Sequence, residues 1–218
     1  MLVAKGIEKY YGDLHVLKGV DVTIGHGEVV SIVGPSGAGK STLLHILGTL
    51  DESDKGEVKV GETNITKLKG DKLATYRNNE IGFIFQFHNL LPEFTGEENI
   101  IIPGLIAGRS EKELKIRAKE LAGILGVAGR LQHKPSELSG GEQQRIAVAR
   151  ALINDPKIIF ADEPSGNLDS KSAQDLHELF FRLRDEFGQS FVIVTHNQEL
   201  AEMADRMLTM QDGKIVSL

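Results

Sequence analysis

The stretch GPSGAGKST, residues 34–42, restricts the fold more than any other part of the chain. It matches the pattern G-x-x-x-x-G-K-[ST]. Before it lies EVVSIV (28–33), a nearly continuous apolar run of strand length. After it comes KSTLLHILGTL, in which Leu43, Leu44, Ile46, Leu47 and Leu50 share the inner side of a helix. A buried strand that passes through a glycine-rich loop into a helix aims backbone N–H groups and the positive helix end at one point. That arrangement holds phosphate. Gly34, Pro35, Ser36, Gly37, Ala38 and Gly39 form the cradle. Lys40 reaches the β and γ phosphates of a nucleotide, and the hydroxyl of Ser41, followed by Thr42, ligates Mg2+. The alternative is a glycine-rich turn that binds nothing.

The rest of the chain extends this unit into an α/β pattern. Val16, Val20, Val22 and Ile24 alternate with polar residues, so residues 2–30 read as antiparallel strands with one buried face. EVKVGETNIT (57–66) reads as another hairpin, IGFIFQ (81–86) as a strand. SEKELKIRAKELAGILGV opens with a Ser110–Glu113 capping box and reads as a helix. A helix from Ser139, the strand KIIFA, a helix over about 171–187, the strand FVIVT, a short helix near 198–204 and a hairpin at Asp212-Gly213 follow. Strands alternating with helices predict a mainly parallel sheet. The expected organisation is a core formed by residues 1–86 and 154–218, including an N-terminal antiparallel β subdomain. Residues 87–153, which read as helices alone, form an inserted helical subdomain.

Bulk properties narrow the function classes. A net charge of −6 argues against a broad grip on nucleic acid. With no cysteine there is no disulfide framework and no thiolate chemistry. The seven histidines have no convincing metal-ligand spacing. MLVAKGIEKYYGD lacks the layout of a signal peptide, and no apolar run approaches the roughly 18 residues of a membrane span.

Further candidates stand at strand ends, where ligands of parallel sheets bind. KIIFADE (157–163) places Asp162 to hold Mg2+ and Glu163 to orient or deprotonate an attacking water. Gln86 ends IGFIFQ and His196 ends FVIVT; a loop hydrogen bond is the bland alternative for each. LSGGEQQR (138–145) poses a different problem. Ser139 and Glu142 make a capping box, but Gly140 and Gly141 occupy the first helical positions, where each glycine costs up to about 1 kcal/mol relative to Ala. Bare N–H groups there form a weak anion site without lysine. It can act only on a phosphate held by something else, in its own chain or in a second copy.

These five motifs, in this order and spacing, resemble the nucleotide-binding domain of ABC transporters over the whole chain. The resemblance implies an ATP-hydrolysing subunit using Mg2+, paired head to tail with a second copy. Ser139, Gly140 and Gly141 would then contact the γ-phosphate in trans, with Glu142 beside them in the same loop. Asp169 of GNLDS would belong to the loop that communicates between the two sites. Tyr11 would stack on adenine, with a surface tyrosine as the alternative and Tyr10 as a neighbouring candidate. Gln86 would sense metal and water, and His196 the γ-phosphate.

The apolar run FIFQFHNLLPEF (83–94) suggests a partner surface, since Pro92 prevents simple helical burial. In the family this region receives a coupling helix from a membrane permease on a separate chain, here at roughly 87–108. FQFHNLLPEFTGEENI, ADEPSGNLDS and VTHNQELAEMADRMLTMQDGKI are similar to the branch serving lipoprotein release, macrolide export and cell division. QFHNLLPEFT is most like the lipoprotein-releasing members. The chain departs from them at His88-Asn89, Gly96-Glu97 and Ser165. The implied location is the cytoplasmic face of the inner membrane.

Overall fold

The computed structural model describes residues 1–217. β1 (Leu2–Tyr11) and β2 (Leu14–Ile24) form a hairpin. β3 (Val29–Val33) leads through the glycine-rich loop into α1 (Lys40–Leu47). β4 (Lys55–Val60), β5 (Thr63–Asn64), α2 (Gly70–Glu80) and β6 (Ile81–Phe85) follow. α3 (Gly96–Ile106), α4 (Glu111–Ile124) and α5 (Gly140–Leu152) then come without an intervening strand. The alternation resumes with β7 (Ile158–Asp162), α6 (Ser170–Phe187), β8 (Ser190–Val194), α7 (Gln198–Met203), β9 (Arg206–Gln211) and β10 (Lys214–Ser217).

The strands form two sheets. One is antiparallel, in the order β2-β1-β4-β5; the other runs β10-β9-β3-β8-β7-β6. β9, β3, β8, β7 and β6 are mutually parallel, and only β10 turns back, on β9. The two-residue turn Asp212-Gly213 has φ of 48° and 78°, the doubly positive backbone that such a hairpin uses. This is the expected α/β fold with a mainly parallel sheet. Its register brings the C-terminal ends of β3, β6, β7 and β8 to one edge, where every strand-end candidate emerges.

The central strands β3, β7 and β8 are apolar along most of their length because both faces are covered. Val29, Ile84, Ile159, Phe191 and Ile193 face a core shared with α3, α4, α5 and α6. Their neighbours Val30, Ile32, Phe160, Val192 and Val194 face a second core, shared with α1 and the antiparallel sheet.

Three local expectations are corrected. Ser110 caps α4 by position, but its side chain makes no cap hydrogen bond, so the Ser110–Glu113 box does not form. Leu50 is not on the inner side of α1: the helix ends at Leu47, and Leu50 is exposed. The even alternation of β2 breaks because the register slips between Leu17 and Val20, at Gly19 with φ of 77°. This bulge buries Leu17 fully and leaves Val16 only partly covered. One element is missed rather than corrected: α2 has no apolar stripe, since none of its side chains is buried, and periodicity does not announce it.

Candidate functional site

The loop after β3 closes on itself tightly. Gly34 has φ of 145°, and a Cβ there would stand 2.1 Å from the Met210 carbonyl oxygen, so no other residue fits. The loop ends at Gly39, and α1 begins at Lys40. Lys40 Nζ donates to the carbonyl oxygens of Gly34 and Pro35 at 2.9 and 3.0 Å, which folds the lysine over the loop. An open groove of about 630 Å³ is lined by Tyr11, Ser36, Lys40, Thr42, Glu163 and His196, among others.

Of the two tyrosines, Tyr11 lines this groove. Its hydroxyl donates to Asp51 at 2.5 Å, and Lys9 Nζ lies 5.0 Å from its ring centre. Tyr10 instead stacks on His15, with ring centres 4.0 Å apart.

β7 delivers two carboxylates to the same edge. Ser41 Oγ donates to Asp162 Oδ1 at 3.1 Å, so the two hard oxygen ligands expected for Mg2+ stand together. Burial pushes the Asp162 carboxyl above its ordinary value, against the pull of Ser41 and His45. His45, on α1, lies 3.7 Å from Asp162. Nothing in the sequence pattern marks His45.

The next residue, Glu163, has φ of 47°, a left-handed conformation uncommon for a side chain of this size. The surrounding structure holds it there. Its N–H donates to the Val194 carbonyl at 2.9 Å, and its own carbonyl accepts from Gly166 N–H at 3.0 Å. The Glu163 carboxylate pairs with His196 Nδ1 at 2.7 Å and accepts from the His196 backbone N–H at 3.2 Å.

The Gln86 side chain is engaged by Asn167. Its amide donates to Asn167 Oδ1 at 3.0 Å, and Asn167 donates back to the Gln86 carbonyl at 3.2 Å. Among the described residues, no hydrogen bond joins Gln86 to Ser41 or Asp162.

At the start of α5 the capping box is complete. Ser139 Oγ accepts from Glu142 N–H at 3.3 Å, and Glu142 Oε2 accepts from Ser139 N–H and Oγ–H at 2.8 and 2.9 Å. Arg130 Nε donates to the other carboxylate oxygen at 2.6 Å. Arg130, with the Ser139 bonds, brings the Glu142 carboxyl down to about 2. The two glycines differ in what their own chain requires. A Cβ on Gly141 would come within 3.2 Å of Ser172 Oγ on α6, a tight approach. A Cβ on Gly140 would meet only Leu168 at 3.6 Å and His88 at 3.9 Å, ordinary contacts. The fold of a single chain therefore has a use for Gly141 and none for Gly140. Asp169 caps α6, accepting from Ser172 N–H at 3.0 Å and from Ser172 Oγ–H at 2.7 Å. Ser172 thus bonds Asp169 and lies against Gly141.

Sequence reasoning missed Gln144. It is fully buried, and its amide nitrogen donates to the carbonyls of Pro164 at 2.6 Å and Phe85 at 3.3 Å. It therefore ties α5 to the segments just beyond Glu163 and just before Gln86. The signal was a polar side chain on the inner face of an apolar-periodic helix. Buried Asn99 was missed too. It takes the Leu91 N–H at 2.8 Å and donates to the carbonyls of Leu91, Phe94 and Thr95. This anchors a loop whose apolar tips point outward: Phe87 is 70% exposed, Leu91 42% and Phe94 41%. On α3, Leu105 and Ile106 add exposures of 43% and 73%. No helix among the described residues is long and apolar enough to cross a membrane.

Comparison with known proteins places this geometry among relatives. A family model described as ABC transporter matches residues 17–166. A protein of Bacteroides fragilis, the lipoprotein-releasing system ATP-binding protein LolD, is 57% identical over 216 residues, 99% of this chain and 100% of that one. Its counterpart in Cytophaga hutchinsonii is 58% identical, with 99% of each covered. Among solved structures, an ATP-binding cassette in a dimeric post-hydrolysis state bound to ADP and Pi superposes with a TM-score of 0.90 at 40% identity. It covers 100% of this chain and 97% of that one.

Proposed function

The chain belongs to the ABC transporter family, and on that premise we propose that its groove is an ATP-hydrolysis site completed by a second copy of the chain. The observation that carries this reading is the convergence of Lys40, the Ser41–Asp162 pair and the Glu163–His196 pair on the edge of one sheet. The residues present fit the ligands. The loop from Gly34 to Thr42 holds the phosphates, Lys40 neutralises the β and γ oxygens, and Tyr11 faces the base. Ser41 and Asp162 are two oxygen donors beside a phosphate site, the sparse protein set Mg2+ favours, with Gln86 released from Asn167 to join them. When bound, Mg2+ neutralises charge on the phosphate oxygens.

Glu163 accepts the proton of the water that adds to the γ phosphorus as the bond to ADP breaks. His196 fixes the orientation of that carboxylate. Ser139, Gly140 and Gly141 of the second copy contact the γ-phosphate, and Asp169 links the two sites. Bare backbone at Gly140, which its own chain does not require, supports this pairing. Residues 87–153 act as a helical subdomain on the core of 1–86 and 154–218. The exposed apolar residues of 87–108 transmit closure to a permease on a separate chain.

End-to-end similarity to lipoprotein-releasing relatives supports release of lipoproteins from the inner membrane as the work done. The protein is then peripheral, held on the cytoplasmic face by its permease. Mass spectrometry of membrane proteins that co-purify with the chain tests this. A permease whose depletion traps lipoproteins in the inner membrane is the expected result. A division-site membrane protein as sole partner would replace transport by signalling.

A further inference from the structure

The capping box at Ser139 differs from its counterparts elsewhere in the molecule. At the start of α3, Thr95 and Glu98 make the same box: the Glu98 carboxylate takes Thr95 N–H at 2.7 Å and Oγ1–H at 2.9 Å, and Thr95 Oγ1 takes Glu98 N–H at 3.3 Å. At Lys134, Glu137 takes the backbone N–H at 2.7 Å. Among the described residues neither Glu98 nor Glu137 has an ion pair. Glu142 alone of the three carries an arginine, Arg130 Nε on Oε1 at 2.6 Å. A cap is therefore complete without an arginine, as Thr95 and Glu98 demonstrate.

Nor does helix stability explain Arg130. Its side chain is 49% exposed and that of Glu142 27%, and an ion pair so open to water contributes little to folding. Yet the position of Arg130 is well defined. It ends a short turn, Ala128–Arg130, in which its N–H donates to the Val127 carbonyl at 2.9 Å, and its own carbonyl accepts from His133 N–H at 3.0 Å.

The charge itself has a consequence if the bare start of α5 meets a phosphate. The Glu142 carboxylate occupies the same helix end, ionised, and repels any phosphate brought to the N–H groups beside it. We propose that Arg130 is a positioning and charge-balancing residue for this end of α5: it cancels the Glu142 charge and fixes the Ser139 loop, so that the γ-phosphate of the opposing copy is accepted. This rests on the head-to-tail pairing stated above. The balance matters only in the closed pair, where water is excluded and the two anions meet. It leaves the binding of ATP to the separate chain untouched.

The test uses full-length protein in the Glu163→Gln background, with ATP-driven dimerisation measured by sedimentation at about 50 and 200 mM salt. Arg130→Ala is expected to weaken the dimer about tenfold at low salt and less at high salt, where screening softens the repulsion. Arg130→Lys restores it to within about threefold of the parent. The decisive variant is Arg130→Ala with Glu142→Gln, which removes the repelling charge while a neutral side chain still caps Ser139; it recovers to within about threefold. An Arg130→Ala protein that dimerises like the parent overturns the inference. So does a double variant as weak as Arg130→Ala, which would make Arg130 either a scaffold or a direct phosphate ligand. A parent that stays monomeric with bound ATP overturns the pairing, and the inference with it.

Discussion

Glu163 and His196 form a hydrogen-bonded pair across the ends of two adjacent strands, with Oε2 and Nδ1 at 2.7 Å, and Glu163 enters it from a left-handed backbone. The strained φ and the imidazole together aim one carboxylate from an otherwise regular strand end. A side chain held this firmly is suited to taking a proton from a water fixed beside it.

Replacing Glu163 by Gln keeps the shape and removes the base. Turnover of ATP is expected to fall by about 10²–10⁴-fold. ATP should still bind, and the protein should run as a dimer on size exclusion. A monomer carrying ATP would count against the paired site.

Gly140→Asp places a carboxylate where a partner's phosphate would come, in a position whose own surroundings accept a Cβ. Nucleotide affinity of the separate chain should stay unchanged while hydrolysis is lost. Reduced affinity in the monomer would mean instead that this loop serves its own chain's groove.

Phe87→Ser and Leu91→Ser alter tips that are 70% and 42% exposed. Each should change folding stability by no more than about 0.5 kcal/mol, as surface replacements do. Co-purification with the permease should be lost, while ATP hydrolysis by the isolated chain persists. Retained co-purification removes these residues from the interface.

Gln144→Leu keeps the volume but removes the donor to the Pro164 carbonyl. Leaving that carbonyl without its partner should cost about 1–3 kcal/mol in chemical denaturation. Because Pro164 follows Glu163, turnover should also fall more than nucleotide affinity does. A change in stability alone would limit Gln144 to packing.

His177 is 2% exposed on α6 and faces Ser165 Oγ at 2.9 Å, and burial holds its imidazole below the ordinary 6.5, opposed by the charge of Glu199. The unfolded chain therefore takes up this proton first as acid is added. Stability from the neutral imidazole is complete above about pH 6.5 and declines as pH falls below it. Melting temperature between pH 7 and 5 should drop less steeply in His177→Gln than in the unaltered chain. Equal slopes would show that His177 does not titrate on unfolding.

The phosphate loop, the parallel sheet and the capping box at Ser139 were legible because each rests on local spacing. Residue type and interval suffice to specify a strand end, a glycine turn or an N-cap. What escaped depends on distance in the chain. Gln144 gains its meaning from carbonyls 59 and 20 residues away, and Arg130 from a carboxylate 12 residues on. α2 escaped for a different reason: a helix that buries no side chain has no apolar period to read. The alternation of β2 misled at Gly19, where one extra residue moved Leu17 inward and Val16 outward. Ser110–Glu113 misled because the right residue types at the right interval did not bond.

The two cores behind β3, β7 and β8 share one wall. Phe160 and Ile159, adjacent in the chain, belong to different cores. Neither compartment can melt without stripping one side of strands on which the other depends. Loss of either should therefore carry the whole chain through one cooperative transition.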